Sequence, residues 1–214
     1  MKGITFGSYH SYDDLKLILT SKEIGSPAVK IRKLEIEGAD GSLDYTDFFG
    51  EPKYEDVTHK FSFATKVPQS EFLSLFSSVK NAIHGKKMRV ILDDDPLFYY
   101  VGRPSVSQFT NEKNVGIISI EVDCEPYKYK LDKTVAEVYV NGTHTASLPN
   151  SRKRAVPEVK VESTGSIRIE FMGNVWDLGK GSYTLPELEL VEGENPVTVT
   201  GVGTVIFTYQ EAGL

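Results

Sequence analysis

Hydrophobic and polar residues alternate with a period of two along most of the chain. Lys60-Phe61-Ser62-Phe63-Ala64 and Ile118-Ser119-Ile120-Glu121-Val122-Asp123-Cys124 alternate cleanly, and Lys30 to Glu37 does so from Leu34 onward. Successive side chains of an extended strand point to opposite faces, so each run predicts a strand with one face buried. Met88-Arg89-Val90-Ile91-Leu92 and Leu97 to Gly102 flank the turn-forming Asp93-Asp94-Asp95-Pro96, which predicts a hairpin. One segment follows another period. From Pro68 to Gly85 the apolar residues Phe72, Leu75, Phe76, Val79 and Ile83 recur at helical spacing. Pro68 suits a first turn, Glu71 the positive end of the dipole, His84 is read as a helix-end cation and Gly85 as a left-handed cap. The spacing predicts one amphipathic helix over about 68–85.

After Glu125-Pro126-Tyr127-Lys128-Tyr129-Lys130 a second series of short runs begins: Val135 to Val140, Val159 to Val161, Ile167 to Phe171, Leu188 to Leu190, Val197 to Val199 and Val205 to Tyr209. Turn signals separate them, including Asn141-Gly142, Thr164-Gly165, Gly193-Glu194-Asn195-Pro196 and Gly201-Val202-Gly203. Short strands at this spacing predict a β-sandwich. The expected fold is therefore mainly β: an N-terminal β-sandwich with one flanking helix over 1–130, followed by a second β-sandwich over 131–214.

Composition narrows the functional classes. Lys+Arg 24 against Asp+Glu 30 gives a net charge of −6, the wrong sign for neutralising phosphates over a broad face, so no nucleic-acid partner is expected. The lone cysteine, Cys124, allows neither an internal disulfide nor a cysteine-based zinc site. No apolar run matches a secretory signal or a membrane-spanning helix, so neither export by that route nor membrane insertion is expected. On that expectation Asn141-Gly142-Thr143 reads as a turn rather than a glycosylation site.

The residue patterns offer little chemistry. His10, His59, His84 and His144 show no metal-ligand spacing, and Asp93-Asp94-Asp95 lacks the glycine and distal glutamate of a calcium loop. Gly173 to Gly181 has the wrong spacing for a phosphate loop, and no G-x-S-x-G sequence occurs. No catalytic residue, cofactor or metal is expected. Trp176 with Asn174 and Tyr183 is the one group able to stack on a sugar; the sole tryptophan reads more readily as a core residue. Arg152-Lys153-Arg154 reads as a solvated basic loop or a partner contact.

Several stretches resemble one family in order along the chain. Gly3-Ile4-Thr5-Phe6-Gly7-Ser8-Tyr9-His10-Ser11-Tyr12-Asp13-Asp14-Leu15 looks like the start of the distal tail proteins of long-tailed phages of Gram-positive bacteria. Asp40 to Gly50 running on to Phe61-Ser62-Phe63, Leu92 to Pro96 with Tyr99 to Arg103, Cys124 to Tyr129, and Glu192 to Pro196 with Gly201 to Tyr209 and Gly213-Leu214 are similar to later segments of that family. The resemblance implies a structural virion protein at the tail tip, made in the host cytoplasm. It implies a homo-hexameric ring joining the tail tube protein to the baseplate and the tail-tip fibre protein, with receptor-binding proteins as further partners. The first domain would make the ring, and the second would be galectin-like, similar to carbohydrate-binding modules. A carbohydrate-binding protein acting through its second domain is the alternative.

A ring needs two different patches on each copy. Leu43 to Tyr54 is the candidate for one, because Tyr45, Phe48, Phe49 and Tyr54 crowd together beside Gly41, Gly50 and Pro52, which interrupt any long strand. The alternative is that these rings pack inside the first sandwich.

Overall fold

Two separate apolar clusters organise the chain, one around Phe6, Phe61, Phe63 and Ile120, the other around Ile169, Val199, Phe207 and Tyr209. The computed structural model describes residues 2–48, 50–65, 67–112 and 115–214. It divides into a unit spanning Met1–Lys128 with Leu214 and a unit spanning Tyr129–Gly213.

In the first unit the strands are β1 (Ile4–Phe6), β2 (Tyr9–His10), β3 (Leu17–Glu23), β4 (Lys33–Glu35), β5 (Ser42–Asp44) and β6 (Val57–Thr65). Helix α1 (Phe72–Ile83), entered by a 3-10 turn at Gln69–Glu71, leads on to β7 (Met88–Leu92), β8 (Phe98–Glu112) and β9 (Val115–Cys124). Seven strands pair in the order β2-β1-β7-β8-β9-β6-β3, antiparallel throughout. The sheet curls on itself. β1 and β6 are not neighbours in it, yet the Phe6 ring meets Phe61 at 6.3 Å and Phe63 at 6.2 Å, edge to face, which makes the layered core of a sandwich.

Period two built these strands where a core was available. β6 buries Val57, His59, Phe61, Phe63 and Thr65, and β9 buries alternate residues from Gly116 to Cys124. The helix buries Phe72, Val79 and Ile83, and sets Phe72 and Phe76 against Phe109 at 5.8 and 5.5 Å. It stops two residues before the expected end. His84 has extended backbone, and its Nδ1 accepts the Val106 N–H at 3.0 Å, so its ring engages β8 rather than the helix end. Gly85 takes the left-handed conformation, φ 72°, and donates its N–H to the Pro104 carbonyl.

The second series comprises β10 (Lys128–Lys130), β11 (Thr134–Asn150), β12 (Glu158–Ser163), β13 (Ile167–Phe171), β14 (Asn174–Leu178), β15 (Gly181–Thr184), β16 (Gly193–Tyr209) and β17 (Ala212–Gly213). The main path runs β14-β13-β16-β12-β15, with β11 along β16 and β10 against β17. Two expected turns are not turns. β11 runs straight through Asn141-Gly142 and β16 through Gly201-Val202-Gly203, each strand 17 residues long, and Gly142 lies opposite Gly201 in their register. The glycines act as a corner. β16 pairs with β13 up to Thr200 and with β12 from Gly203, so it changes partner there, and Gly142, Gly201 and Gly203 have φ of 105°, 146° and 153°.

The run at Leu188 to Leu190 is not a strand either. Leu188 and Leu190 are fully buried, but the only pairing is an isolated bridge between Leu190 and Ala155. Apolar residues two apart can fill a core from irregular backbone as well as from a strand.

Candidate interaction surface

Between β3 and β6 the chain leaves the first sheet for more than thirty residues and forms an arm. No described residue from Ile24 to Asp56 is buried. The strands β4 and β5 pair only with each other, in the register Lys33↔Asp44, Leu34↔Leu43 and Glu35↔Ser42. The hairpin loop turns on Gly38 and Gly41, φ 82° and 76°. Near the hairpin Tyr45 N–H donates to Arg32 C=O, Arg32 N–H to Thr46 Oγ1, and Thr46 N–H to Asp44 Oδ1 at 2.9 Å. The Thr46 side chain and backbone hold the Asp44 carboxyl below its usual range. Further back, Glu55 N–H donates to Ala28 C=O and Lys30 N–H to Lys53 C=O.

The alternation of this hairpin has no core to serve. The expectation of a half-buried strand at Lys30–Glu37 is therefore corrected: Leu34 and Leu43 face each other across the strands, each 54% exposed, and Ile36 continues their face. Lys33, Glu35 and Asp44 occupy the other side. A two-stranded hairpin is marginal on its own in water, and one with an open apolar face is more so.

Of the four aromatics singled out from sequence, Phe48 is 77% exposed and Tyr45 partly so, both on the returning limb of the arm. Tyr54 is half-buried, edge to face with Tyr127 at 5.9 Å, so its ring packs within its own unit. Phe49 lies outside the described residues. Leu34 and Ile36 fall outside the Leu43–Tyr54 segment expected at an interface, because alternation alone cannot tell a covered face from an open one.

The second candidate group is divided between β14 and β15, the two ends of the sheet path. Trp176 on β14 and Tyr183 on β15 are half-buried against the second core, while Asn174 is exposed. The Tyr183 hydroxyl donates to Gly179 C=O at 3.1 Å. Tyr139 on β11 is the most exposed ring of that unit and had not been singled out.

The acidic turn is also spoken for. Asp93 Oδ2 accepts Gly3 N–H at 2.6 Å and lies 3.2 Å from His10 Nε2, Asp94 pairs with Lys22, and Asp95 Oδ2 accepts Lys128 Nζ at 3.0 Å. Three carboxylates aimed at three separate partners do not make one cation site. In the basic loop, Arg152 reaches Glu192, Arg154 Nη1 donates to Glu189 at 2.8 Å, and Lys153 Nζ donates to the Tyr129 hydroxyl at 2.6 Å. Its charges are engaged by their own unit. Among the described residues no helix is long and apolar enough to cross a membrane.

Comparison with solved structures matches this arrangement. The crystal structure of SPP1 Dit, presented as "a paradigm of hub adsorption apparatus in Gram-positive infecting phages", aligns with a TM-score of 0.72 over 98% of this chain and 99% of its own. The chain has the Dit fold. The two sequences are 11% identical, so the likeness lies in backbone architecture rather than in side chains. No protein-family model and no curated protein sequence matches the chain. The Dit fold spans both units and the helix in chain order, the same span over which the distal tail family resemblance runs.

Proposed function

We propose that this protein is a structural, non-catalytic hub of a phage tail tip. Copies associate head-to-tail into a closed ring, six by the family resemblance, through the first unit. The ring joins the tail tube protein to the tail-tip fibre protein and the host-adhesion proteins. The observation that carries this reading is the arm, an amphipathic hairpin with Leu34, Ile36 and Leu43 on one open face and Phe48 on its returning limb. Laid on the next copy, that face loses its water and the hairpin gains the support it lacks alone. A contact between an arm and a different patch on the neighbour is heterologous, the kind that closes rings. The fold shared with a hub protein supplies the setting.

Sugar recognition through Asn174, Trp176 and Tyr183 is the weaker reading, since both rings lean on the core. Light scattering behind size exclusion tests the assembly. Wild type should run as a ring. Leu43→Ala with Phe48→Ala should run as a monomer, because anchors of this kind contribute about 2 kcal/mol each, and that monomer should still melt cooperatively because neither side chain is buried in the free chain. A ring of unchanged mass in the double mutant, or a wild type that stays monomeric at every concentration, overturns the reading.

A further inference from the structure

The arm leaves the first sheet after β3 and rejoins it at Val57, the first residue of β6, so its two ends meet at one place. His59 stands there. It occupies an inward position of β6 between Val57 and Phe61, and only 1% of its surface is exposed. Its Nδ1 accepts the Gly25 N–H at 3.2 Å. A ring nitrogen that accepts carries no hydrogen, so the proton of the neutral ring sits on Nε2, and that atom is buried without a hydrogen-bond partner among the described residues. Gly25 is seated closely. A Cβ there would lie 2.8 Å from both the Thr58 carbonyl oxygen and Val57 Cγ2. An N–H at the root of the departing arm is thus held by a side chain where the β3–β6 ladder has ended.

The groups facing the imidazole include no free anion to welcome a second proton, among the described residues. From β8 the Tyr100 ring lies edge to face at 4.5 Å, its hydroxyl pushed up by burial. From β9 come Val122, opposite His59 in register, and Cys124, whose thiol burial pushes up to about 12. The adjoining cavity, about 380 Å³, is lined by Ile24, Pro27, Val57, Tyr100, Lys128 and Leu214. The Lys128 ammonium and the Asp95 carboxylate engage each other at 3.0 Å. Lys60, Glu121 and Asp123 alternate onto the other face of the sheet, and Glu23 of β3 lies opposite Lys60. Burial accordingly holds His59 below its ordinary value of 6.5.

We propose that His59 is an acid-sensitive latch: its neutral ring holds the root of the arm at Gly25, and its protonated ring releases it. Imidazolium has N–H on both nitrogens, so the bond to Gly25 becomes donor against donor and must open for the charge to reach water. The closed form binds the proton less well than the open form, so acid favours opening. With an open-state value of 6.5, the opening equilibrium grows by up to about 30-fold between pH 7.5 and 5.0, the limit in which the closed ring stays neutral. The latch is a property of the single chain. Its consequence for assembly, a ring weakened by acid, rests on the reading of the arm given above.

Hydrogen exchange at the Gly25 amide, followed by NMR on the full chain and corrected for the intrinsic pH dependence of exchange, tests the latch apart from the ring. Protection at Gly25 should fall from pH 7.5 to 5.0, by up to about 30-fold, while Ile118, in the middle of β9, holds its protection. In His59→Gln, whose amide oxygen can accept the same N–H without titrating, Gly25 protection should be flat across that range. Equal wild-type protection at both pH values, or the same fall in His59→Gln, overturns the proposal. Should His59→Gln not fold, the wild-type ring decides: Nitrogen shifts showing Nδ1 protonated at pH 7.5 refute it. Ring mass measured in the same samples reads the assembly separately, so an unlatched arm and an absent ring give different results.

Discussion

Replacing Glu211 by Gln should destabilise the second unit by about 2 kcal/mol at neutral pH, and by less as the pH falls. The carboxylate is buried, and it gathers three donors from separate parts of the unit: Lys130 Nζ and Thr134 Oγ1 on one oxygen, the latter at 2.5 Å, and Ser151 Oγ on the other at 2.8 Å. Burial alone would raise its pKa, but the bonds from Lys130, Thr134 and Ser151 outweigh that and hold it below its ordinary 4.5. Gln keeps the shape and loses the charge, so each bond falls from charge-assisted to neutral strength, a loss of about 0.5–1 kcal/mol apiece. The Lys130 side chain is 41% exposed, so its share belongs at the low end of that range through solvent screening.

Because the folded value lies below the unfolded one, the contribution is full above about 4.5 and is lost as pH falls through the folded value. The chain's one tryptophan, Trp176, packs on the second core, so its fluorescence follows this unit in urea. With an m-value of about 1–1.5 kcal/mol per molar for a unit of this size, the midpoint should drop by roughly 1.3–2 M at pH 7. The gap should narrow on acidification, where wild type becomes a neutral acid much like Gln. Superposable curves at pH 7, or a gap that keeps its size in acid, would refute the reasoning.

Two other outcomes follow from geometry. Gly203→Ala puts a Cβ 2.6 Å from the Glu162 carbonyl oxygen at φ 153°, so the same tryptophan assay should show a loss of about 2 kcal/mol or more; an unchanged midpoint would mean the corner adjusts freely. Cys124 is buried with its thiol pushed up to about 12, chiefly by burial and then by Asp123, Glu125 and Asp56. It should react with a disulfide reagent only on unfolding of the first unit, and rapid labelling of the native chain would contradict that burial.

Local patterns carried much of the fold. The 3.6 period placed the helix to within a few residues, because Phe72, Val79 and Ile83 reach a core that the flanking strands supply. The alternation at Lys60–Ala64 and Ile118–Cys124 marked two strands that pair with each other, Phe61 opposite Ile120. The errors share a cause. At Leu34 and Leu43 the right period occurs with nothing covering it, at Leu188 and Leu190 burial occurs without a ladder, and at Gly142 and Gly201 glycines that read as turns bend strands that continue.

From the sequence alone came the β-rich class, the single helix, an expected seam over 125–130 and the aromatic cluster around Phe48, since propensity, period and crowding are properties of neighbours along the chain. Only the tertiary structure decided which alternating faces are covered, that Asp93, Asp94 and Asp95 go to three different partners, and that the Gly25 N–H finds His59 across 34 positions. Those outcomes depend on which distant segments meet. A period of two specifies that a face exists, and the folded chain alone determines what lies against it.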